Sequence, residues 1–129
     1  MTDRRAIYVE GYGHQNPIPA ASRLDNVVAS GIITGRDGAT GKLPSTLDEQ
    51  CALMFRHLRS IIEAAGGTVD DIVKLNVWMA DRSQREGLNR EWLKMFPDAD
   101  KRPARQTMQA ELGGGMLVHC DFLAVVKPR

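Results

Sequence analysis

Two adjoining stretches decide the fold: STLDEQCALMFRHLRSIIEAAGG, residues 45–67, and DDIVKLNVWMAD, residues 70–81. In the first, Leu47, Cys51, Met54, Phe55, Leu58, Ile61, Ile62 and Ala65 recur at helical spacing, which gives an α-helix one apolar stripe. Thr46 with Glu49 reads as a capping box, with Ser45 as the alternative cap, and Gly66-Gly67 stops the helix. In the second the period changes to two. Val73, Leu75, Val77 and Met79 fall on one face of a strand, and Ile72, Lys74, Asn76 and Trp78 on the other.

Downstream, SQREGLNREWLKMFPD (83–98) reads as a second helix. Ser83 and Glu86 form its capping box, Leu88, Trp92, Leu93 and Phe96 its apolar stripe, and Pro97 ends it. Two strands follow, about 103–112 and 116–126, and Gly113-Gly114-Gly115 is expected to join them as a tight hairpin. Upstream, AIYVE (6–10) is a short strand, GYGHQNPIPAAS (11–22) is too rich in Gly and Pro for regular structure, and RDGATGKLP (36–44) is turn chemistry. DNVVASGIITG (25–35) is a strand that can continue past Gly31. The order is β-β-α-β-α-β-β, with room for one more strand near residue 33. The fold class is α/β (α+β), a two-layer sandwich with both helices on one face of a mixed sheet.

A chain of 129 residues, 43% apolar and 26% charged, suits one globular domain spanning residues 1–129. The net charge is +1 and the charges are interspersed, so a nucleic-acid partner has no electrostatic support. No segment could span a membrane, and no apolar run near the N-terminus resembles a signal peptide. A reducing cytoplasm is the expected compartment. Cys51 and Cys120 fit no metal spacing and read as buried thiols. Three scattered histidines make no metal site, and neither GYG nor GGG is a phosphate loop, so no metal and no cofactor are expected.

The last strand implies a partner. Met116, Val118, Cys120, Phe122, Ala124 and Val126 point one way; Leu117, Leu123 and Val125 point the other, beside His119 and Asp121. Two helices cover only one sheet face, so the second apolar face predicts a homo-oligomer. Lys74, Asn76, Arg105 and Asp121 are placed near its seams.

The chemistry centres on RPARQTM, residues 102–108. Arg105, Thr107 and Gln109 share a strand face. An arginine cannot shed its charge, and its planar fork beside a hydroxyl suits a carboxylate. A surface arginine or a structural ion pair is the plainer reading of the residue alone. His14 and Tyr12 lie in the Gly-rich loop, where solvated side chains and ligand-closing groups both occur. His57 belongs to helix packing or surface.

The ordered set RPAR, the ASG of residues 29–31, EAAGGTVDDIVKLNVWMAD and LNREWLKMFP resembles the Rid family, the reactive intermediate deaminases also called YjgF or L-PSP. The likeness is collinear from about residue 16 to 127. It implies a chorismate-mutase-like fold, a homotrimer, and clefts between subunits that bind small carboxylates. It places the family's carboxylate-gripping arginine on Arg105, its serine-glycine pair on Ser30 and Gly31, and its asparagine on Asn89, with Trp92 as the nearby aromatic. Two positions depart from the members that hydrolyse imines and enamines. Their cysteine two residues after the arginine is Thr107 here, and their water-positioning glutamate is His119. The stretch HQNPIPAASR also lacks their tyrosine segment.

The resemblance therefore implies a deaminase that hydrolyses an enamine or imine of a small carboxylated metabolite and releases ammonia. An aminomuconate-like dienamine acid is within the family's range. Arg105 would clamp the carboxylate, His119 would orient water as acid and base, and Thr107 and Ser30 would offer hydrogen bonds. The alternative is a non-catalytic module that binds or senses a small carboxylate in the same cleft. A ribonuclease role finds no basic groove in the sequence.

Overall fold

In the computed structural model, which describes residues 3–128, seven strands form one mixed sheet. They are β1 (Arg5–Ile7), β2 (Ala21–Leu24), β3 (Val27–Ser30), β4 (Ile33–Thr34), β5 (Ile72–Met79), β6 (Ala104–Gln109) and β7 (Val118–Val125). The helices are α1 (Leu47–Ala64) and α2 (Glu86–Met95). The sheet order is β1-β2-β3-β7-β5-β6, and β4 also pairs with β7. This is the expected chorismate-mutase-like sandwich. No helix among the described residues is long and apolar enough to cross a membrane.

The period of each segment explains its place. The stripe Cys51, Met54, Phe55, Leu58, Ile61 and Ile62 of α1 is buried against Leu75, Val77 and Met79 of β5 and Val118, Cys120, Phe122 and Ala124 of β7. Thr46 caps α1: its hydroxyl oxygen accepts from the Glu49 N–H at 3.2 Å and donates to the Glu49 carboxylate at 2.8 Å.

Several expectations change. The glycine run does not close a hairpin between β6 and β7, because β5 lies between them, parallel to β6 and antiparallel to β7. Parallel strands need a crossover, and α2 provides it from β5 to β6. The link from β6 to β7 then passes over the end of β5: Ala110 N–H donates to Met79 O and Ala80 N–H to Leu117 O, each at 3.0 Å. Its three glycines still take the left-handed backbone that the turn requires, with φ of 73°, 58° and 81°.

Residues 21–22, assigned to the irregular loop, instead open β2, and Asp25-Asn26 makes a two-residue turn into β3 with Asp25 at φ 53°. The strand past Gly31 breaks and resumes as β4. Val73 leaves the core face and is exposed, because a bulge between Ile72 and Lys74 shifts the register. Ser83 does not cap α2; its hydroxyl donates to the Asp81 carboxylate, and the cap position is Arg85, with no side-chain cap bond.

Gln50 locks the glycine link to α1. Its buried amide donates to Pro44 O at 2.8 Å and Gly115 O at 3.0 Å and accepts from Leu117 N–H at 2.8 Å. Gln50→Leu leaves these main-chain groups without partners, so a stability loss of about 3 kcal/mol is expected in urea unfolding. An unchanged unfolding midpoint would show that water replaces the amide.

Candidate functional site

Arg105 sits on β6, at the sheet edge. The parallel register sets it beside Leu75, and Thr107 beside Val77, so both face the helix layer. There the guanidinium carbon lies 5.0 Å from the ring centroid of Trp92 on α2. Trp92 is in turn braced edge-on by Phe96, with centroids 4.9 Å apart. Asn89, half-buried, lies one turn before Trp92 on the same helix. Arg105 Nη1 is buried and has no hydrogen-bond partner among the described residues. No carboxylate forms an ion pair with Arg105 among the described residues. Burial lowers its pKa below the usual arginine range, and the neighbouring Arg85 lowers it further. An arginine stays charged even so, and a buried charged donor without an acceptor is costly. A group of this chemistry has the capacity to take an anion.

His119 lies on the opposite face. Its strand partner is Trp78, and the two rings stack with centroids 5.2 Å apart and planes at 30°. Asp121, two residues on, accepts from the Asn76 side-chain amide at 2.9 Å. His119 Nδ1 is buried without a hydrogen-bond partner among the described residues. Desolvation lowers the His119 pKa below its usual 6.5, outweighing the attraction of Asp121, and so favours the neutral ring. The folded chain thus binds this proton more weakly than the unfolded one. The contribution to stability is full above the unfolded pKa, near 6.5, and is lost as the pH falls through the lower folded value. Between pH 7 and 5 the urea midpoint should fall, and His119→Gln should flatten that slope. The same slope in wild type and variant would contradict this.

Ser30 is occupied structurally. Its hydroxyl oxygen accepts from Phe122 N–H and donates to Gly31 O, both at 2.8 Å, where β3 parts from β7. Gly31 N–H donates to Ala20 O. Tyr12 is buried: its hydroxyl donates to Ile32 O at 2.8 Å and accepts from Thr34 N–H at 3.0 Å. Its ring packs on His57, whose Nε2 lies 2.6 Å from Arg36 O, so His57 is a packing residue. His14 stands edge-on to Tyr12 with Nε2 buried and unpartnered. Tyr12 and His14 line a polar cavity of about 380 Å³ with Thr34 and Arg36, and Arg105 is not among its walls.

The chain therefore brings Arg105, Thr107, Asn89 and Trp92 to one side of the sheet and His119 and Asp121 to the other. Within one chain the sheet separates the two groups. Sequence reasoning missed Trp78 as the ring beneath His119, since only strand register reveals it, and Arg85 as the second charge near Arg105. Burial pushes the Cys51 thiol up to about 12 and Cys120 well above its usual range, so neither is a nucleophile. Among the described residues no group of His, Cys, Asp or Glu is placed to hold a metal ion.

The family model described as Endoribonuclease L-PSP matches residues 15–126. The chain belongs to the L-PSP family, also called Rid or YjgF. It is 31% identical over 115 residues to a RutC family protein of Aquifex aeolicus, covering 84% of this chain and 92% of that one. It is 28% identical over 88 residues to the Escherichia coli K12 protein named "Putative reactive intermediate deaminase TdcF", covering 67% of this chain and 68% of that one. The crystal structure of RidA from an Antarctic Psychrobacter superposes with a TM-score of 0.86 at 26% identity, over 95% of this L-PSP chain and 99% of the other. The match spans both helices and every strand that frames Arg105 and His119.

Proposed function

We propose that this L-PSP chain is a single-domain, cytoplasmic Rid-like deaminase that assembles as a homotrimer and hydrolyses the enamine or imine of a small carboxylated metabolite. The observation that carries the reading is the buried, partnerless Nη1 of Arg105. Membership in a family whose relatives include a protein named as a reactive intermediate deaminase supports the chemistry.

In this reading the substrate carboxylate docks on Arg105, whose fork is held against Trp92. Thr107, on the same face, offers its hydroxyl to the substrate, and Asn89 its amide. A second copy of the chain brings His119. Its neutral ring accepts a proton from water as the water oxygen bonds to the C=N carbon. The C=N π pair moves to nitrogen, which takes up a proton. The amine of the resulting carbinolamine then takes up a proton and its hydroxyl gives one up; the oxygen lone pair forms C=O as the C–N pair leaves with nitrogen, so ammonia departs and a keto acid remains. An enamine first takes a proton on carbon and gives one up from nitrogen, which makes it the imine. Ser30 acts by fixing Gly31 and β7, since its hydroxyl is already engaged at both ends.

Assembly is supported by the open sheet face. Val27 and Val125 are cross-strand partners, as are Ala29 and Leu123, and all four are exposed. Such an apolar patch needs a cover.

A second reading, a carboxylate-binding module without turnover, rests on Thr107 and His119 standing where the resemblance expects cysteine and glutamate. Ammonia release from freshly generated 2-aminoacrylate and from aminomuconate decides between them. The deaminase reading expects one of the two to be consumed at least about 100-fold faster than in buffer. Binding of both without release would leave only the module.

A further inference from the structure

We infer that Arg85 is a specificity residue, which selects substrates bearing a second anionic group beyond the carboxylate held by Arg105. The inference rests on Arg105 as a carboxylate clamp and not on the hydrolysis itself. Arg85 stands in helical conformation at the start of α2, seven residues before Trp92. Seven residues are close to two full turns, so Arg85 and Trp92 lie on the same helix face, about 10 Å apart along the axis. That face is the one on which Trp92 carries Arg105. Asn89 lies between them on the same stripe.

The turn that bears Arg85 is tied to β6. Arg82 N–H donates to the Gln109 side-chain oxygen at 3.0 Å, and Gln109 shares its strand face with Arg105 and Thr107. Arg85 Nε donates to Arg82 O at 2.9 Å, which anchors the base of its guanidinium on that turn. No carboxylate forms an ion pair with either arginine among the described residues; the acids of α1 and α2 that do form pairs serve Arg59, Arg90 and Lys94. Arg85 is the charge that acts on Arg105.

Two cations that repel and share no acid leave room for two negative groups. One, on β6, is half-buried, and the other, at the start of α2, is exposed. Two cations on separate elements fit a ligand with two separate acid groups better than one compact dianion.

The test is calorimetric titration of the assembled, full-length protein at low ionic strength with glutarate, butyrate and inorganic phosphate. Glutarate and butyrate differ in the second carboxylate. Glutarate is expected to bind at least about tenfold tighter than butyrate. Arg85→Gln should bring that ratio to about one, and Arg105→Gln should weaken both ligands. Equal affinities in the wild type, a ratio that survives Arg85→Gln, no binding of glutarate, or tight binding of phosphate alone would each overturn the inference. The deaminase reading fails separately: a glutarate preference that depends on Arg85, with no ammonia released from any enamine, would leave the specificity standing and remove the reaction.

Discussion

Arg105→Met is expected to lower ammonia release, and the affinity for small carboxylates, by at least about 100-fold while leaving the protein as stable as before or more so. The two effects come from one cause. Each charge-assisted hydrogen bond to a carboxylate is worth roughly 1.5–3 kcal/mol, and a guanidinium fork makes two. In the unliganded chain the same group is a liability, since its Nη1 is buried without an acceptor. Methionine keeps the packing against Trp92 and removes the unpaired charge. Arg105→Lys should fall between, because an ammonium keeps the charge but loses the planar fork and its stacking. Activity, carboxylate titration and urea unfolding on the three proteins check this. A structural arginine would give the reverse: lower stability with binding intact.

Mixing two inactive variants is expected to restore activity. In the proposed site Arg105→Met and His119→Ala each remove one half, and these two residues lie on opposite faces of one sheet. If Arg105 of one copy meets His119 of the next, a mixed assembly contains some complete sites. With equal mixing, half of the arginine-bearing faces and half of the histidine-bearing faces are intact, so about a quarter of the sites recover. The variants are unfolded together, refolded and assayed against each alone. Recovery no greater than the average of the two parents would mean that both residues act within one chain or that His119 takes no part.

Both predictions depend on features that the sequence reveals unevenly. Helix α1 and strand β5 are legible because their apolar residues repeat at 3.6 and at two, and burial follows that period. The Thr46 cap is legible for a similar reason, as the side chain and its target are three residues apart. Strand pairing is not local. Gly113-Gly114-Gly115 announces a turn but not its partners, and β5 intervenes between the strands that the turn joins. The bulge that exposes Val73 and the Asp25-Asn26 turn are settled by neighbouring strands in the same way. Ser83 illustrates competition: Asp81, two residues back, takes the hydroxyl that a capping box would have used.

At the candidate site, the shared face of Arg105 and Thr107 follows from strand alternation alone. What surrounds them does not. That Trp92 lies under Arg105, and that no acid among the described residues pairs with it, depends on how α2 crosses β6. His119 and Asp121 share a face as alternation requires, yet Asp121 bonds to Asn76 while His119 stacks on Trp78, a division of roles set by the β5–β7 register.

The most direct measurement is a crystal structure of the assembled protein with a small carboxylate bound. The account predicts a carboxylate oxygen within hydrogen-bond distance of Arg105 Nη1, the guanidinium still stacked on Trp92, and His119 of a neighbouring copy across the cleft. A carboxylate bound elsewhere, with Arg105 neutralised by a protein acid, would contradict it.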